Sequence, residues 1–394
     1  MVVSRFLALP SKQKVLGSDP TLCCFCITGL SAGTFTMAML KMTENTTKYL
    51  EHNHDYNSYY SEDYFDKYAP CDKSHVTAFM RIFLPVFYAV LTVLSITGNL
   101  LLAVVLIRWT KLRSTTSVFL LNMAVSDCLF AATLPFWAVS ACSQWLFGSV
   151  GCKALTAVYT LNLYSSIFFI TCVSLEAYLC VVWARDERWV LARKRTICIA
   201  VWLLASLTTV PSLIFITLEE EDGEKHCVYV FGDDDMTPWK LFLKFQLNIF
   251  GFLLPFLSMT FFFLRILCVM LKSNITKGFK ILKLALLLLG VFFVLWFPYN
   301  LVVFLHSLQD LHVITDCTVS ANLDFAVQVT QSLAFVHACL NLVIYASVHR
   351  RFRNELRRML KRMCQLGREY SLECTGSTSL VAPPSPPVIL TTVC

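Results

Sequence analysis

FLPVFYAVLTVLSITGNLLLAVVLI, residues 83–107, contains no charged side chain. A helix needs about 20 apolar residues to cross the hydrocarbon of a bilayer, where a backbone amide has no water to bond and must be satisfied internally. Six comparable stretches follow: Ser114 to Ser140, Ala154 to Leu175, Thr196 to Leu218, Phe245 to Leu264, Leu284 to Leu305 and Phe325 to Val348. The chain therefore reads as an all-α membrane protein, a seven-transmembrane helix bundle. Composition agrees, because 15% charged and 56% apolar residues leave too few charges to clothe a soluble domain of 394 residues. A soluble bundle would also need polar faces that these segments lack.

The loops give an orientation. Arg108, Lys111 and Arg113 follow span one, Arg185 to Arg195 follow span three, Lys272 to Lys283 follow span five, and seven further basic residues lie between Arg350 and Arg362. The opposite loops are acidic, with Glu219 to Asp222 and Asp233 to Asp235 after span four, and Asp310 and Asp316 after span six. Positive charge held in the cytoplasm places the N-terminus outside and the tail inside, at the plasma membrane. The net charge of +7 is split between faces of opposite sign, so membrane lipids, and no nucleic acid, are the expected partners of the basic side.

Most of the 17 cysteines fall in spans or on the inner side, where they serve as small apolar residues or reduced thiols. Four fall outside: Cys71, Cys152, Cys227 and Cys317. Bridges Cys152 to Cys227 and Cys71 to Cys317 would pin the acidic loop over span three and tie the N-terminal segment to the last outer loop. Spacing alone leaves three pairings open.

Six motifs in order, one per span, resemble rhodopsin-type G-protein-coupled receptors: Gly98-Asn99, Leu121 through Asp127, Trp202, Pro255, Trp296-Phe297-Pro298-Tyr299, and Asn341 through Tyr345. Thr133-Leu134-Pro135-Phe136-Trp137, with Trp145 before Cys152 and the second outer cysteine pair, is similar to chemokine receptors. That family implies a receptor, not an enzyme, with basic CC chemokines as ligands and G proteins or arrestin as inner partners.

Residues 42–78 form an outer arm in this reading. Between Met42 and His75 lie seven acidic residues, among them Asp63 and Asp66, against three lysines and interleaved with six tyrosines. Such a segment cannot bury enough surface to fold alone and reads as a polyanionic arm for a basic ligand. Tyr60, Tyr64 and Tyr68 are its sulfation candidates, and Asn45-Thr46-Thr47 is a glycosylation sequon, while Asn274 falls on the inner side and stays bare. Residues 1–41 read as a signal peptide or an extension of the gene model ahead of Met42.

Within the receptor domain, residues 79–348, Asp127 lies at membrane depth and needs polar neighbours. The resemblance supplies Asn162, Ser166 and Asn341 and implies a polar network, with a Na+ ion as a further occupant; no other cofactor is expected. It also gathers Tyr88, Trp137, Tyr159, Trp296, Tyr299 and Gln331 around the crevice that receives a chemokine's N-terminus. Many relatives carry glutamate where Gln331 stands, so this chain should lean more on its acidic arm.

The inner end departs from the family pattern. Signalling relatives read Asp-Arg-Tyr where this chain has Glu176-Ala177-Tyr178, and an alanine offers neither charge nor donors. Leu295 precedes Trp296-Phe297-Pro298, and Leu342 replaces the proline between Asn341 and Tyr345, removing the bend that proline causes. With Glu176, Ala177, Tyr178, Trp296, Pro298, Asn341 and Tyr345 as the activation switches, the pattern is similar to atypical receptors that bind and internalise CC chemokines with weak or absent G-protein signalling. The alternative is a conventional chemotactic CC-chemokine receptor. Transporter half-repeats are not visible, and an enzyme's acid and histidine clusters at membrane depth reduce to Asp127 and His337.

Residues 349–364 read as a basic amphipathic helix on the inner leaflet with Cys364 as a palmitoylation candidate, and 365–394 as a disordered tail. Ser371, Thr375, Ser377, Thr378 and Ser379 are candidate phosphorylation sites for arrestin. Passage through recycling endosomes accompanies that reading.

Overall fold

The structure is a computed structural model that describes residues 74–110, 112, 114–182, 187–221, 223–231, 237–273, 279–348, 352–359, 361–362 and 365. Seven helical segments are long and apolar enough to cross a membrane: Ala78–Arg108, Thr115–Cys142, Gly148–Val182, Arg193–Phe215, Pro238–Lys272, Ile281–Asp310 and Cys317–Val348, hereafter spans one to seven. Spans one, two and seven pack together, span three packs on two, four and five, and span six joins five to seven. The result is a closed bundle. The chain divides into two units, residues 1–348 and 349–394, and the second holds a helix over residues 352–359.

Lipid-facing and inward residues separate as a bilayer demands. On span four, Leu203, Leu207, Val210 and Ile214 are exposed, while Val201, Ala205, Thr208 and Thr209 are buried. The exposed row repeats at helical spacing and meets lipid, whereas the small inward residues let the helix approach span three closely.

Two spans are irregular where proline or a side chain interferes. Pro255 has no N–H for the carbonyl one turn earlier, and the helix accommodates this with a π segment at Ile249–Leu253. Span seven breaks between helices Cys317–Phe335 and His337–Val348. At the break the His337 ring pairs Nδ1 with the Ala334 carbonyl oxygen at 2.7 Å. Leu342 itself lies inside unbroken helix, as expected from the missing proline, so the span bends upstream by other means.

Span four ends sooner than its apolar run. Helix gives way at Phe215, and Ile216–Glu221 forms β1, which pairs antiparallel with β2, Glu224–Tyr229. The hydrophobic stretch to Leu218 thus merges a membrane helix with a β-branched strand. Gly223 takes φ +79° in the turn, a left-handed conformation that glycine adopts without strain. The Asp222-Gly223 pair, between Glu219-Glu220-Glu221 and Glu224-Lys225-His226, was the available turn signal.

Candidate functional site

The β-hairpin is fastened over the end of the bundle where span three begins. Cys227 of β2 is disulfide-bonded to Cys152, with Cα atoms 5.6 Å apart. Trp145 N donates to the Lys225 carbonyl at 2.6 Å, and Lys225 N donates to Gln144 Oε1 at 3.2 Å. Burial pushes the phenol of Tyr229, the last residue of β2, above its ordinary range. Cys317 is also disulfide-bonded, and its expected partner Cys71 lies outside the described residues. Cys142, at the end of span two, is disulfide-bonded too, which corrects the count of four such cysteines. Its place at the last helical residue was the signal.

Below the hairpin, an aromatic floor joins spans one, two, three and seven. Phe335 packs against Tyr88, Phe130 and Tyr159 with centroids 6.1, 5.1 and 5.7 Å away. Gln331 Nε2 donates to Tyr159 Oη at 3.3 Å, and the Tyr299 hydroxyl lies near those of Tyr159 and Tyr164. Trp137 leans on Trp145 at 5.0 Å instead, toward the hairpin, and Trp296 lies deeper, against His337 at 5.3 Å. All six expected crevice residues are buried.

A charged cluster, not anticipated from sequence, ties the same ends of spans five, six and seven. Asp310 accepts from Lys240 at 2.7 Å and from Lys244, whose side chain is fully buried. One turn deeper on span six, His306 Nε2 lies 3.1 Å from Asp324 Oδ1 on span seven. Lys244 and Asp310 are 66 residues apart, so no local pattern signals the pair.

At mid-depth the four expected network residues do converge. Asp127 Oδ1 accepts from Asn162 Nδ2 at 2.8 Å and Ser166 Oγ at 3.0 Å, and Oδ2 accepts from Asn341 Nδ2. Asn162 also donates to Ser126 Oγ at 3.1 Å, and His337 Nε2 lies 3.9 Å from Asp127 Oδ1. A carboxylate in low dielectric is costly unless hydrogen-bonded, and these donors answer that cost. The arrangement is not an open oxygen cage for Na+. Three donors already occupy the carboxylate, and an imidazole stands on a further side.

At the opposite end of span three, Thr116 Oγ1 donates to Glu176 Oε2 at 2.5 Å. Ala177, Tyr178 and Val181 pack with Ile266, Met270 and Ala285 of spans five and six, and Tyr178 stacks on Phe262 at 5.3 Å. These ends of three spans are thereby joined by an apolar seam. Pro298 lies inside the continuous helix of span six, between Trp296 and Asn300, whose side-chain nitrogen donates to the Trp296 carbonyl at 2.9 Å. Tyr345 is buried beside Ser117. Asn45, Tyr60, Asp63, Tyr64, Asp66, Tyr68 and the Ser/Thr tail cluster lie outside the described residues.

Seven spans, a bridge from the start of span three to the hairpin, and a carboxylate bonded across spans two, three and seven define a rhodopsin-like receptor. The family model for the 7 transmembrane receptor (rhodopsin family) matches residues 98–345, and the chain belongs to that family and, within it, to the chemokine receptors. It is 45% identical to mouse atypical chemokine receptor 2 over 312 residues, which cover 78% of this chain and 82% of that receptor. It is 38% identical to human C-C chemokine receptor type 8 over 329 residues, covering 82% and 92%, and 38% identical to human C-C chemokine receptor type 1 over 327 residues, covering 81% and 89%. It is a multi-pass membrane receptor and not an enzyme.

Proposed function

We propose that this chain is an atypical chemokine receptor, which binds basic CC chemokines and carries them into the cell with weak or absent G-protein signalling. The observation that carries the reading is Ala177. Where the signalling pattern has an arginine, this chain packs a methyl group into the Ile266, Met270 and Ala285 seam, and Glu176 accepts from Thr116. A seam that buries apolar area offers a G protein no charged contact and opposes the separation of spans three and six. Similarity to mouse atypical chemokine receptor 2 supports the same reading.

Disulfides persist in oxidising compartments, so the end bearing Cys152–Cys227 faces outward and Glu176 faces the cytoplasm. The acidic arm with Asp63, Asp66, Tyr60, Tyr64 and Tyr68 captures the ligand electrostatically, and Tyr88, Trp137, Tyr159, Tyr299 and Gln331 receive its N-terminus. Arrestin is the tail's partner, and the receptor cycles between plasma membrane and endosomes.

A second reading, a conventional chemotactic receptor, is favoured by the 38% identity to human C-C chemokine receptors type 8 and type 1. A panel of CC chemokines on transfected cells separates the two when depletion from the medium and G-protein activation are read together. Depletion without activation supports the scavenger, and activation at ligand concentrations that cause depletion supports the conventional receptor.

A further inference from the structure

Cys142 and Cys317 are both disulfide-bonded, and the partner of each lies outside the described residues. Both stand at the end of the bundle that carries Cys152–Cys227. Cys142 is the last residue of helix Thr115–Cys142, and Trp145, three positions on, is bonded to the Lys225 carbonyl of β2. Cys317 is the first residue of helix Cys317–Phe335.

The candidate partners are few. Cys364, Cys374 and Cys394 follow span seven and fall on the opposite, reducing side of the membrane, where disulfides do not persist. That leaves Cys71 and the group Cys23, Cys24 and Cys26. Two bridges need two partners, and Cys71 supplies only one. At least one bridge therefore ends at Cys23, Cys24 or Cys26.

Packing assigns the pairs. The Phe79 ring of span one lies 5.2 Å from that of Phe325 of span seven. The two spans run in the same direction, and Cys71 precedes Phe79 by eight residues as Cys317 precedes Phe325 by eight. The chain thus brings Cys71 to Cys317 and leaves Cys142 for the earlier group.

We propose that Cys142 is bridged to Cys23, Cys24 or Cys26, so that residues ahead of Met42 belong to the mature receptor and the acidic arm is anchored at both ends. This rests on the outward orientation proposed above for the Cys152–Cys227 end. Each bridge forms by thiol–disulfide exchange: two thiols give up two protons and two electrons to a disulfide-bearing oxidant of the secretory compartment, which leaves as a dithiol. Chain length permits the span, because 44 residues separate Cys26 from Cys71 and, at about 3.3 Å each, reach well beyond a bundle of helices about 10 Å across. An arm closed into a loop has fewer conformations to lose when a ligand settles on it.

The test uses the full-length receptor with an epitope inserted between Cys26 and Met42 and a site-specific protease sequence inserted after Lys48. Receptor is taken from the cell surface with its thiols alkylated, and then cleaved. On a denaturing, non-reducing gel the tagged fragment should stay with the receptor, and it should separate completely after reduction. Peptide mapping without reduction should find Cys142 linked to a peptide holding Cys23, Cys24 or Cys26, beside the Cys152–Cys227 pair. Release of the fragment without reduction, or its absence from surface receptor, overturns the proposal. So does a Cys142 that is alkylated or linked elsewhere. Alkylated Cys152 and Cys227 would instead overturn the orientation beneath it. Cys142→Ser should release the fragment without reduction. If that variant fails to reach the surface, Cys23→Ser, Cys24→Ser and Cys26→Ser together should open Cys142 to alkylation, and a Cys142 still bridged there overturns the proposal.

Discussion

Thr116 on span two donates to Glu176 on span three at 2.5 Å, across 60 residues of sequence. The Glu176 carboxylate is thus tied to its neighbouring helix. Glu176 and Ala177 act together: one bonds sideways, the other faces the seam.

Removing the hydroxyl tests that tie. Thr116→Val keeps the shape and deletes the donor, which should cost about 1–2 kcal/mol and lower the thermal midpoint of detergent-purified receptor by at least about 2 °C. An unchanged midpoint would mean that the bond contributes nothing to the inner end.

Ala177→Arg should fail to create a signalling receptor. The guanidinium would enter the apolar Ile266, Met270 and Ala285 cluster. Overpacking and an unpaired charge should cost about 2 kcal/mol or more, seen as lower thermal stability without gain in nucleotide exchange. Exchange restored by this change alone would show that the seam is no barrier.

The geometry at Asp127 predicts indifference to sodium. Replacing Na+ by choline at constant ionic strength should leave chemokine affinity within about twofold, because Asn162, Ser166 and Asn341 already donate to both oxygens of the carboxylate. Asp127→Asn, which turns an amide toward those donors, should lower the thermal midpoint in either salt. A sodium-dependent affinity that Asp127→Asn abolishes would restore the ion to the site.

Neutralising the acidic residues of the 55–66 segment should slow chemokine association about tenfold at low salt, with little effect near 1 M salt. Surface plasmon resonance on captured receptor reads this directly. An unaltered on-rate at low salt would remove the arm from capture.

The spans were legible because seven charge-poor runs leave a bilayer as their only economical surroundings. Residues 83–107 fall wholly inside span one, and the helix runs on at both ends because its polar ends need no apolar signal. Span four misled at its end, since Ile216, Thr217 and Leu218 are as apolar as a helix end but β-branched enough to pair in a hairpin. Asp127 and Asn341, 214 residues apart, were found together only because their motifs resemble a known family. Nothing local in the sequence pairs Lys244 with Asp310, 66 residues away, so the cluster with Lys240 emerges only from the packing of spans five and six.

The proposed scavenger role requires that the receptor's inner surface not engage a G protein. The direct measurement is nucleotide exchange on a purified heterotrimer, with the receptor in lipid nanodiscs and saturated with a chemokine that its cells deplete. The rate should stay at the ligand-free baseline. A robust, ligand-driven acceleration would contradict the scavenger reading.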